Sequence, residues 1–415
     1  MLGHCAQARH AWNLAREVDS TYHRGGPRTG KPPRFLGMAA MLTEVRRTDT
    51  SEMSDEEADY FTWVASGNAD VQQQALRDFD QALANFLSGT HRYPNRRKKD
   101  RNEGFRVIGT GRVPAFTPAG EPVLNAKGKH VHHREVAVHK LNRRWGQVKV
   151  PGCGWVRFRL TRAELPNAKS YRVTYRNGQW HVAFAVIPDP IEAPGNGKVV
   201  GIDRGVTITA ALSDGRVLNC PGLSAKERST VRKHQRRAAR ASRNSPRKRD
   251  EYAKIAQLKA REANRRKDWC EKTSTMLART FDTIRFEDLR TKSMTRSARG
   301  DVEEPGKHVR QKAGLNRAIL AQGWRRLRQR TGHKAPGRVE DVPPKNTSLR
   351  CSDCGWVDKD SRKSQAEFVC SLCGFTCNAD TNASLNVAVG HTGGTTPRTG
   401  SNVREPQRLR PGPGR

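Results

Sequence analysis

Four cysteines stand in the order Cys351-x2-Cys354-x15-Cys370-x2-Cys373, and a glycine follows each pair, Gly355 and Gly374. No other feature constrains the fold as tightly. Two short Cys-x2-Cys knuckles can bring four thiolates to the corners of a tetrahedron around zinc, about 2.3 Å from each sulfur. Four protein ligands leave no open position for water, so such an ion holds structure and does not react. A pair of separate redox dithiols would not need the repeated Cys-x2-Cys-Gly form. The stretch reads as a structural zinc ribbon. The remaining cysteines, Cys5, Cys153, Cys220, Cys270 and Cys377, are scattered and read as buried or ordinary thiols. Cysteines used in this way suit a reducing compartment better than a disulfide framework does.

The chain around that ribbon has 415 residues, enough for two or three domains. It carries 77 Lys and Arg against 41 Asp and Glu, a net charge of +36. Such an excess repels itself unless a polyanion neutralises it, which makes nucleic acid the default partner. A membrane surface is the competing polyanion. However, no run approaches the roughly 18 consecutive apolar residues of a spanning helix. The beginning, Met1-Leu-Gly-His-Cys5, lacks the charged-then-apolar pattern of a secretory signal. The expectation is a cytoplasmic protein.

Hydrophobic periodicity divides the chain. Residues 1–22 predict a helix with Ala8, Trp12, Leu14 and Ala15 near one face, and His23–Arg34 reads as a Gly/Pro-rich linker. A second helix should start with Asp70 as cap and Gln73 at the capping-box position, and bury Ala75, Leu76, Phe79, Ala82, Leu83 and Phe86. It should end at Ser88-Gly89, ahead of the basic cluster Arg96 to Lys99. From Phe105 to Ile187 the period changes to two, with a hairpin signal at Asn177-Gly178, and predicts a small antiparallel barrel or sandwich. Pro188 to Gly197 breaks the pattern and marks a domain boundary. Three strands then form a meander between Lys198 and Asn219. Lys226 to Lys267 reads as a helical pair split at Asn244-Ser245-Pro246, with 17 Lys or Arg against 4 acids, a net of +13. Charged helices usually mix signs, and this one-sidedness favours phosphate contact over a merely solvated face. Arg325, Arg326, Arg328 and Arg330 add positive surface. Trp63, Trp145, Trp155 and Trp180 could stack on bases, but core packing is the better expectation for most of them. No internal repeat is evident, and residues 390–415 have the composition of a disordered tail.

Three carboxylates stand out against this basic background. Asp203 ends one apolar strand, Glu287 ends another (Thr283–Glu287), and Asp380 opens a helical pattern just beyond the second knuckle. Each alone is an ordinary turn or cap residue. Together they could meet at one edge of a sheet. Phosphodiester hydrolysis uses paired Mg²⁺ ions about 3.5–4 Å apart, and hard divalent ions prefer carboxylate oxygens. An acidic cluster in a DNA-binding chain of this charge makes electrostatic sense only if metals neutralise it.

The residues around these carboxylates carry a resemblance. Gly201-Ile-Asp203-Arg-Gly205-Val is similar to the first motif of the RuvC nuclease fold, Phe286-Glu287-Asp288-Leu289 to the second, and Asn378-Ala-Asp380-Thr-Asn382-Ala383 to the third. The stretch from Thr347 through Asn386-Val resembles the zinc ribbon and third motif of the TnpB family of transposon-encoded proteins, relatives of type V CRISPR effectors. The resemblance is strongest from Lys198 to Val389. Arg204 departs from it, at a position often apolar in the family, and, with the sequence starting almost at its first predicted helix, the leading strand common in the family is expected to be missing.

The resemblance implies an α/β plus β fold. Residues 1–188 would form a wedge-like β-barrel with a helical recognition insertion at about 35–104. Residues 198–346 would form an RNase H-like RuvC domain with the basic insertion 226–267, followed by the zinc ribbon 347–377, the last RuvC motif 378–389 and the tail. It further implies an RNA-guided DNA endonuclease of a transposable element. Asp203, Glu287 and Asp380 would be its catalytic triad and Mg²⁺ ligands, and Cys351, Cys354, Cys370 and Cys373 would bind one structural zinc. The implied partners are a guide RNA from the transposon end and double-stranded target DNA, bound by a monomer in the bacterial cytoplasm that joins the nucleoid when on DNA. Three other classes stay open: a transposase acting directly on transposon-end DNA, a nuclease-inactive RNA-guided binder, and a non-catalytic zinc-ribbon protein.

Overall fold

The computed structural model describes residues 1–22, 30–101, 103–117, 120–161, 163–165, 167–176, 178–186, 189–300 and 303–390. The linker expected from His23, the turn residue Asn177 and the tail expected beyond Gly390 fall wholly or largely outside them. The chain forms two compact units, Met1–Ile187 and Pro188–Arg415. No helix among the described residues is long and apolar enough to cross a membrane.

The first unit begins with four helices, α1 (Leu2–Ser20), α2 (Phe35–Arg47), α3 (Asp55–Ser66) and α4 (Ala69–Leu87). Ala8, Ala11 and Ala15 give α1 a smooth buried face around Trp12, whose ring meets Phe79 of α4 edge-on at 5.4 Å between centroids. The expected stripe on α4 is buried from Ala75 to Leu83. Its cap differs from the expectation. Asn68, in extended conformation, accepts the Val71 N–H at 3.0 Å, while Asp70 lies within the first turn and faces the positive end of the helix dipole. The cap must precede the first helical residue, and only Asn68 does. Gly89 follows the helix at φ +71°.

Eight strands follow: β1 (Gly104–Ile108), β2 (Gly111–Pro114), β3 (His132–Glu135), β4 (Val138–Lys140), β5 (Trp145–Val150), β6 (Gly154–Arg159), β7 (Ser170–Arg176) and β8 (Gln179–Ala185). They make three small antiparallel sheets, β1-β7-β8, β2-β3 and β4-β5-β6, and no barrel closes among the described residues. Between the sheets, backbone pairing reduces to single bonds such as Val136 N–H to Ala168 O and Gly109 N–H to Lys169 O, both 2.9 Å. Gly109 permits the crossing, because a Cβ there would lie 2.1 Å from the Glu135 backbone. Phe105, Val107, Val148, Val150, Tyr171 and Val173 bury the inner faces.

The second unit is built on five strands: β9 (Val199–Asp203), β10 (Ala210–Leu212), β11 (Val217–Leu218), β12 (Thr283–Glu287) and β13 (Val339–Val342), in the order β11-β10-β9-β12-β13. The first three form the expected antiparallel meander. β12 then returns parallel to β9, and β13 parallel to β12. Between β11 and β12 lie α5 (Ala225–Arg240) and α6 (Pro246–Thr280). Ser224 and Glu227 form a reciprocal capping box on α5, and Ser245 caps α6 with Pro246 at its start. α6 outruns the expected basic segment by several turns because Cys270, Leu277 and Ala278 pack into the sheet's core beside Ile202, Ile284 and Phe286. The short α7 (Thr291–Met294), α8 (Val309–Ala321) and α9 (Trp324–Lys334) lead to β13. The ribbon adds β14 (Glu367–Val369) and β15 (Thr376–Asn378), and α10 (Ala379–Val389) lies back against β9. That last packing requires Gly201. A Cβ there would fall 2.1 Å from Ser384 O and 2.2 Å from Ala388 N, so only glycine lets α10 approach.

Candidate active site and metal centre

The four cysteine sulfurs converge, all within 4.8 Å of one another. Cys351 Sγ lies 3.8 Å from Cys373 Sγ, and Cys354 Sγ lies 3.6 Å from Cys370 Sγ. A tetrahedron with metal–sulfur bonds of about 2.3 Å has edges of about 3.8 Å. The donor set fits zinc in both softness and geometry. Both knuckles use the same backbone pattern. Gly355 N–H returns to Cys351 O at 3.0 Å and Gly374 N–H to Cys370 O at 3.1 Å, and each glycine takes a positive φ, +80° and +73°. Cys377, on β15, stays outside the group, and burial pushes its thiol up to about 11.

The carboxylates come from three neighbouring elements. Ile202 pairs with Phe286 across the parallel β9/β12 ladder, so Asp203 and Glu287 are the adjoining strand-end residues. Asp380 sits in the first turn of α10, oriented by Asn378, whose side chain accepts the Asp380 and Thr381 N–H groups at 2.9 and 3.3 Å. Burial pushes the Asp203 carboxyl up to about 7, and the charges of Glu287 and Asp380 push in the same direction. Burial also raises Glu287, offset by the Thr347 hydrogen bond and by the charges of Arg204 and Arg362. Asp380 is raised by burial and countered by Arg362. The three sense one another, yet they do not form a single-ion cage. Among the described residues only the four cysteines bring three or more potential ligands within reach of one ion. Three carboxylates whose repulsion Arg204 and Arg362 only partly relieve form a hard oxygen set, chemically suited to divalent cations.

The shift of Asp203 has a definite pH signature in metal-free protein. Its folded pKa stands above the ordinary 3.8, so the folded state holds the extra proton between roughly pH 4 and 7. The stabilisation is complete below about pH 4 and is lost as pH rises toward 7. An Asp203→Asn variant lacks this titration. The melting temperature of the native chain should therefore fall relative to that variant across this window, in a buffer free of divalent ions. A native chain that instead gains on the variant with rising pH contradicts the assigned shift.

Several contributing residues gave no clear sign in the sequence. The Thr347 hydroxyl donates to Glu287 Oε1 at 2.7 Å. Asn382 donates to Arg350 O at 2.7 Å and accepts the Ser352 N–H at 2.9 Å. Asn386 donates to Arg350 O at 2.7 Å and to Thr347 O at 3.0 Å. Two asparagines four residues apart, both on the buried face of α10, thus tie the ribbon's first strand of chain to the helix that carries Asp380. That spacing of polar residues among Ala383 and Val387 is the one signal that could have disclosed them. Arg362, from the ribbon, reaches Asp380 at 3.6 Å. Arg204, the family departure, is buried beneath the site, donates to the Glu287 carbonyl and lies 5.3 Å from the Phe286 ring centroid.

The basic surface is distributed unevenly. His234 of α5 meets the buried Glu251 of α6 at 2.5 Å and pins the hairpin, most of whose other cations are exposed. Arg97 is spent on structure, 3.8 Å over the Trp12 ring and paired with Asp78, so only Arg96, Lys98 and Lys99 of that cluster are exposed. Arg328 forks onto Asp341 and Arg330 onto Glu271, which leaves Arg325 and Arg326. The tryptophans correct the expectation of core packing. Trp63, Trp145 and Trp155 are exposed, and only Trp180 packs against the core. Trp145 and Trp155 lie on the outer face of β4-β5-β6, opposite Arg159 and Lys149 respectively, with Arg157 between them and His139 stacked on Trp155 at 4.7 Å. Among the described residues of these strands, no acid occupies that face. Bases can stack on such rings while the cations meet phosphates.

The chain is similar to several known proteins. The OrfB_IS605 family model, described as "Probable transposase", matches residues 181–298, and the "Cas12f1-like, TNB domain" model matches residues 324–387. A protein of Escherichia coli K12 named "Putative RNA-guided DNA endonuclease InsQ" is 32% identical over 336 residues, 79% of this chain and 76% of that protein. One from Streptomyces pristinaespiralis, named "Putative RNA-guided DNA endonuclease", is 27% identical over 357 residues, covering 85% and 76%. Among solved structures, a Cas12f1–sgRNA–target DNA complex aligns over 92% of this chain and 82% of its own, at 13% identity and a TM-score of 0.46.

Proposed function

Since this chain belongs to the TnpB family of transposon-encoded proteins, the IS605 OrfB group, we propose that it is an RNA-guided DNA endonuclease whose RuvC-like site is Asp203, Glu287 and Asp380. The observation that carries the reading is electrostatic: one basic chain gathers a buried Glu287 and the half-buried Asp203 and Asp380 near the end of a sheet whose β9 and β12 run parallel, and the charges of the other two push Asp203 up. In this reading the five-stranded unit, three strands antiparallel and two parallel, is an RNase H-like domain. The first unit would serve as a wedge-like β domain with a helical recognition lobe at about residues 35–104.

Asp203, Glu287 and Asp380 would hold Mg²⁺, with Asp203 between the other two. When bound, the ions supply an activated water and a charge sink for the leaving oxygen. The chain's own groups do the positioning. Thr347 fixes one oxygen of Glu287, leaving the other free to act as a ligand. Arg362 brings a guanidinium to the rim of the acidic site, where a strand's phosphate would otherwise be repelled. Asn382 and Asn386 set the depth of α10, and therefore of Asp380. The α5–α6 hairpin and the Trp145/Trp155 face supply phosphate contacts and stacking for guide and target. Sequence recognition passes to guide–target pairing, so the protein needs shape and charge more than base-specific side chains.

The test is to express the chain with its flanking transposon end, purify it, sequence the RNA that co-purifies, and offer it matched and mismatched DNA with Mg²⁺. We expect one discrete RNA species and cleavage of the matched DNA only. Recovery of no discrete RNA sinks the guided reading. Joined rather than cut products would indicate a transposase.

A further inference from the structure

Neighbouring arginines around α6 and α9 are used in opposite ways. Arg265 forks onto Glu227 at 2.6 and 2.9 Å, Arg328 onto Asp341 at 2.7 and 2.7 Å, and Arg330 reaches Glu271 at 3.1 Å. Arg266, Arg325 and Arg326 have no carboxylate within ion-pair distance among the described residues, and the charge of Arg266 acts instead on the Cys220 thiol, partly offsetting the upward push of burial. All three line one cavity of about 280 Å³ among α6, α7, α8 and α9, together with the polar Thr291 and Gln329. The rest of its lining is apolar. Ile319 and Trp324 are buried there, and the Trp324 indole N–H is committed to Thr209 O at 3.2 Å, so the ring offers the cavity no donor. Leu320, 60% exposed, forms the uncovered rim.

A lining that combines three guanidiniums with Ile319, Leu320 and Trp324 selects a ligand with an anionic end and a flat, weakly polar body. Inorganic phosphate would leave the apolar groups wet, and a hydrocarbon would leave three guanidiniums without an anion. A nucleotide satisfies both. We propose that this cavity seats one unpaired nucleotide of a bound strand, with its phosphate at Arg266, Arg325 and Arg326 and its base against Ile319 and Leu320. The site is distinct from the carboxylates and from the stacking face on the first unit. It rests on the nucleic-acid-binding part of the proposed function but not on cleavage. Sugar identity is not selected by these groups, so RNA and DNA are both candidate sources.

Leu320→Glu tests it, because it places a carboxylate at the rim of the cavity and disturbs no core contact. Short fluorescent single-stranded oligonucleotides of one sequence, as DNA and as RNA, are titrated by anisotropy. The control is Leu2→Glu, the same substitution at an exposed position at the start of α1, outside the surfaces assigned to nucleic acid. We expect Leu320→Glu to weaken at least one oligonucleotide by about tenfold or more, as a charge set against a phosphate does, with Leu2→Glu within about threefold of the native chain. In an Arg325→Gln/Arg326→Gln variant, the slope of log affinity against log salt should fall by about one for each phosphate no longer neutralised. A weakening confined to RNA or to DNA identifies the strand that occupies the cavity. Equal affinities for Leu320→Glu and Leu2→Glu on both oligonucleotides overturn the inference and leave the functional reading standing. A native chain that binds neither oligonucleotide overturns both. Unchanged melting of Leu320→Glu excludes misfolding as the cause.

Discussion

Asp203→Ala is expected to lower Mg²⁺-dependent cleavage of matched DNA by about a thousandfold or more, a barrier increase of about 4 kcal/mol, while binding of guide RNA and target DNA changes little. The size follows from position. Asp203 ends the central strand, and it is the carboxyl lifted to about 7 by burial and by both of the other acids. In the proposed site Asp203 would be the ligand that two cations share, and neither Glu287 nor Asp380 alone would hold both. Binding should survive for an independent reason. The groups expected to meet phosphates lie on α5, α6, α9 and the outer face of β4-β5-β6, and removing one partly buried carboxylate changes none of them. Single-turnover cleavage measured beside equilibrium binding of the assembled ribonucleoprotein separates the two. Native-like cleavage by the variant would remove Asp203 from the active site. Parallel loss of binding would make it a structural residue.

What the sequence disclosed, and what it withheld, divides along local and non-local physics. The knuckles were legible because a four-thiolate site is written in two short spacings, and each glycine is needed for a positive φ within its own turn. The hairpin of α5 and α6 was legible because Ser245-Pro246 is a local helix start. Asp203, Glu287 and Asp380 could be singled out only by combining strand-end positions with a family resemblance. Nothing in their spacing says that β12 returns parallel to β9. The supporting residues were hidden for a further reason. Thr347, Arg362, Asn382 and Asn386 act across long stretches of chain, where composition carries no phase information. The error over the tryptophans has a simple cause. Alternation in β5 and β6 is symmetric, so it shows that Trp145 and Trp155 share a face but not which face meets water. The valines decided that, since Val148 and Val150 fill the core. The separation of the strands into three sheets, with no closed barrel, likewise depended on single inter-sheet bonds that no periodicity records. Arg97 shows the same limit for charge: in sequence it belongs to a basic run, and in space it packs on Trp12.

Loss of the cysteine site should reach well beyond the ribbon. Cys354→Ser is expected to reduce bound zinc from one per chain to none and, in the same preparation, to reduce cleavage to near background. A structural zinc site of four thiolates contributes apparent binding free energies of about 10–16 kcal/mol, far more than a ribbon with a small core of Cys351, Phe368, Cys370 and Ala379 could replace. Without the ion the two knuckles no longer define where residues 347–352 run. The route inward from there is explicit. Arg350 O and Thr347 O receive Asn386, Arg350 O and Ser352 N–H engage Asn382, and Thr347 holds Glu287. Releasing that segment frees the start of α10, and with it Asp380, and withdraws the hydroxyl that orients Glu287. Arg362 leaves with the ribbon. Three of the groups around the acidic site therefore depend on an ion that touches none of them. The comparison that isolates this coupling uses two further variants. Asp203→Ala should lose cleavage and keep its zinc, whereas Cys377→Ser, at a half-buried thiol outside the cluster, should keep both. Zinc content by mass spectrometry under native conditions, read beside the cleavage rate of each variant, decides the matter. A Cys354→Ser chain that loses its zinc but cuts at the native rate would show that the ribbon and the carboxylates are mechanically independent.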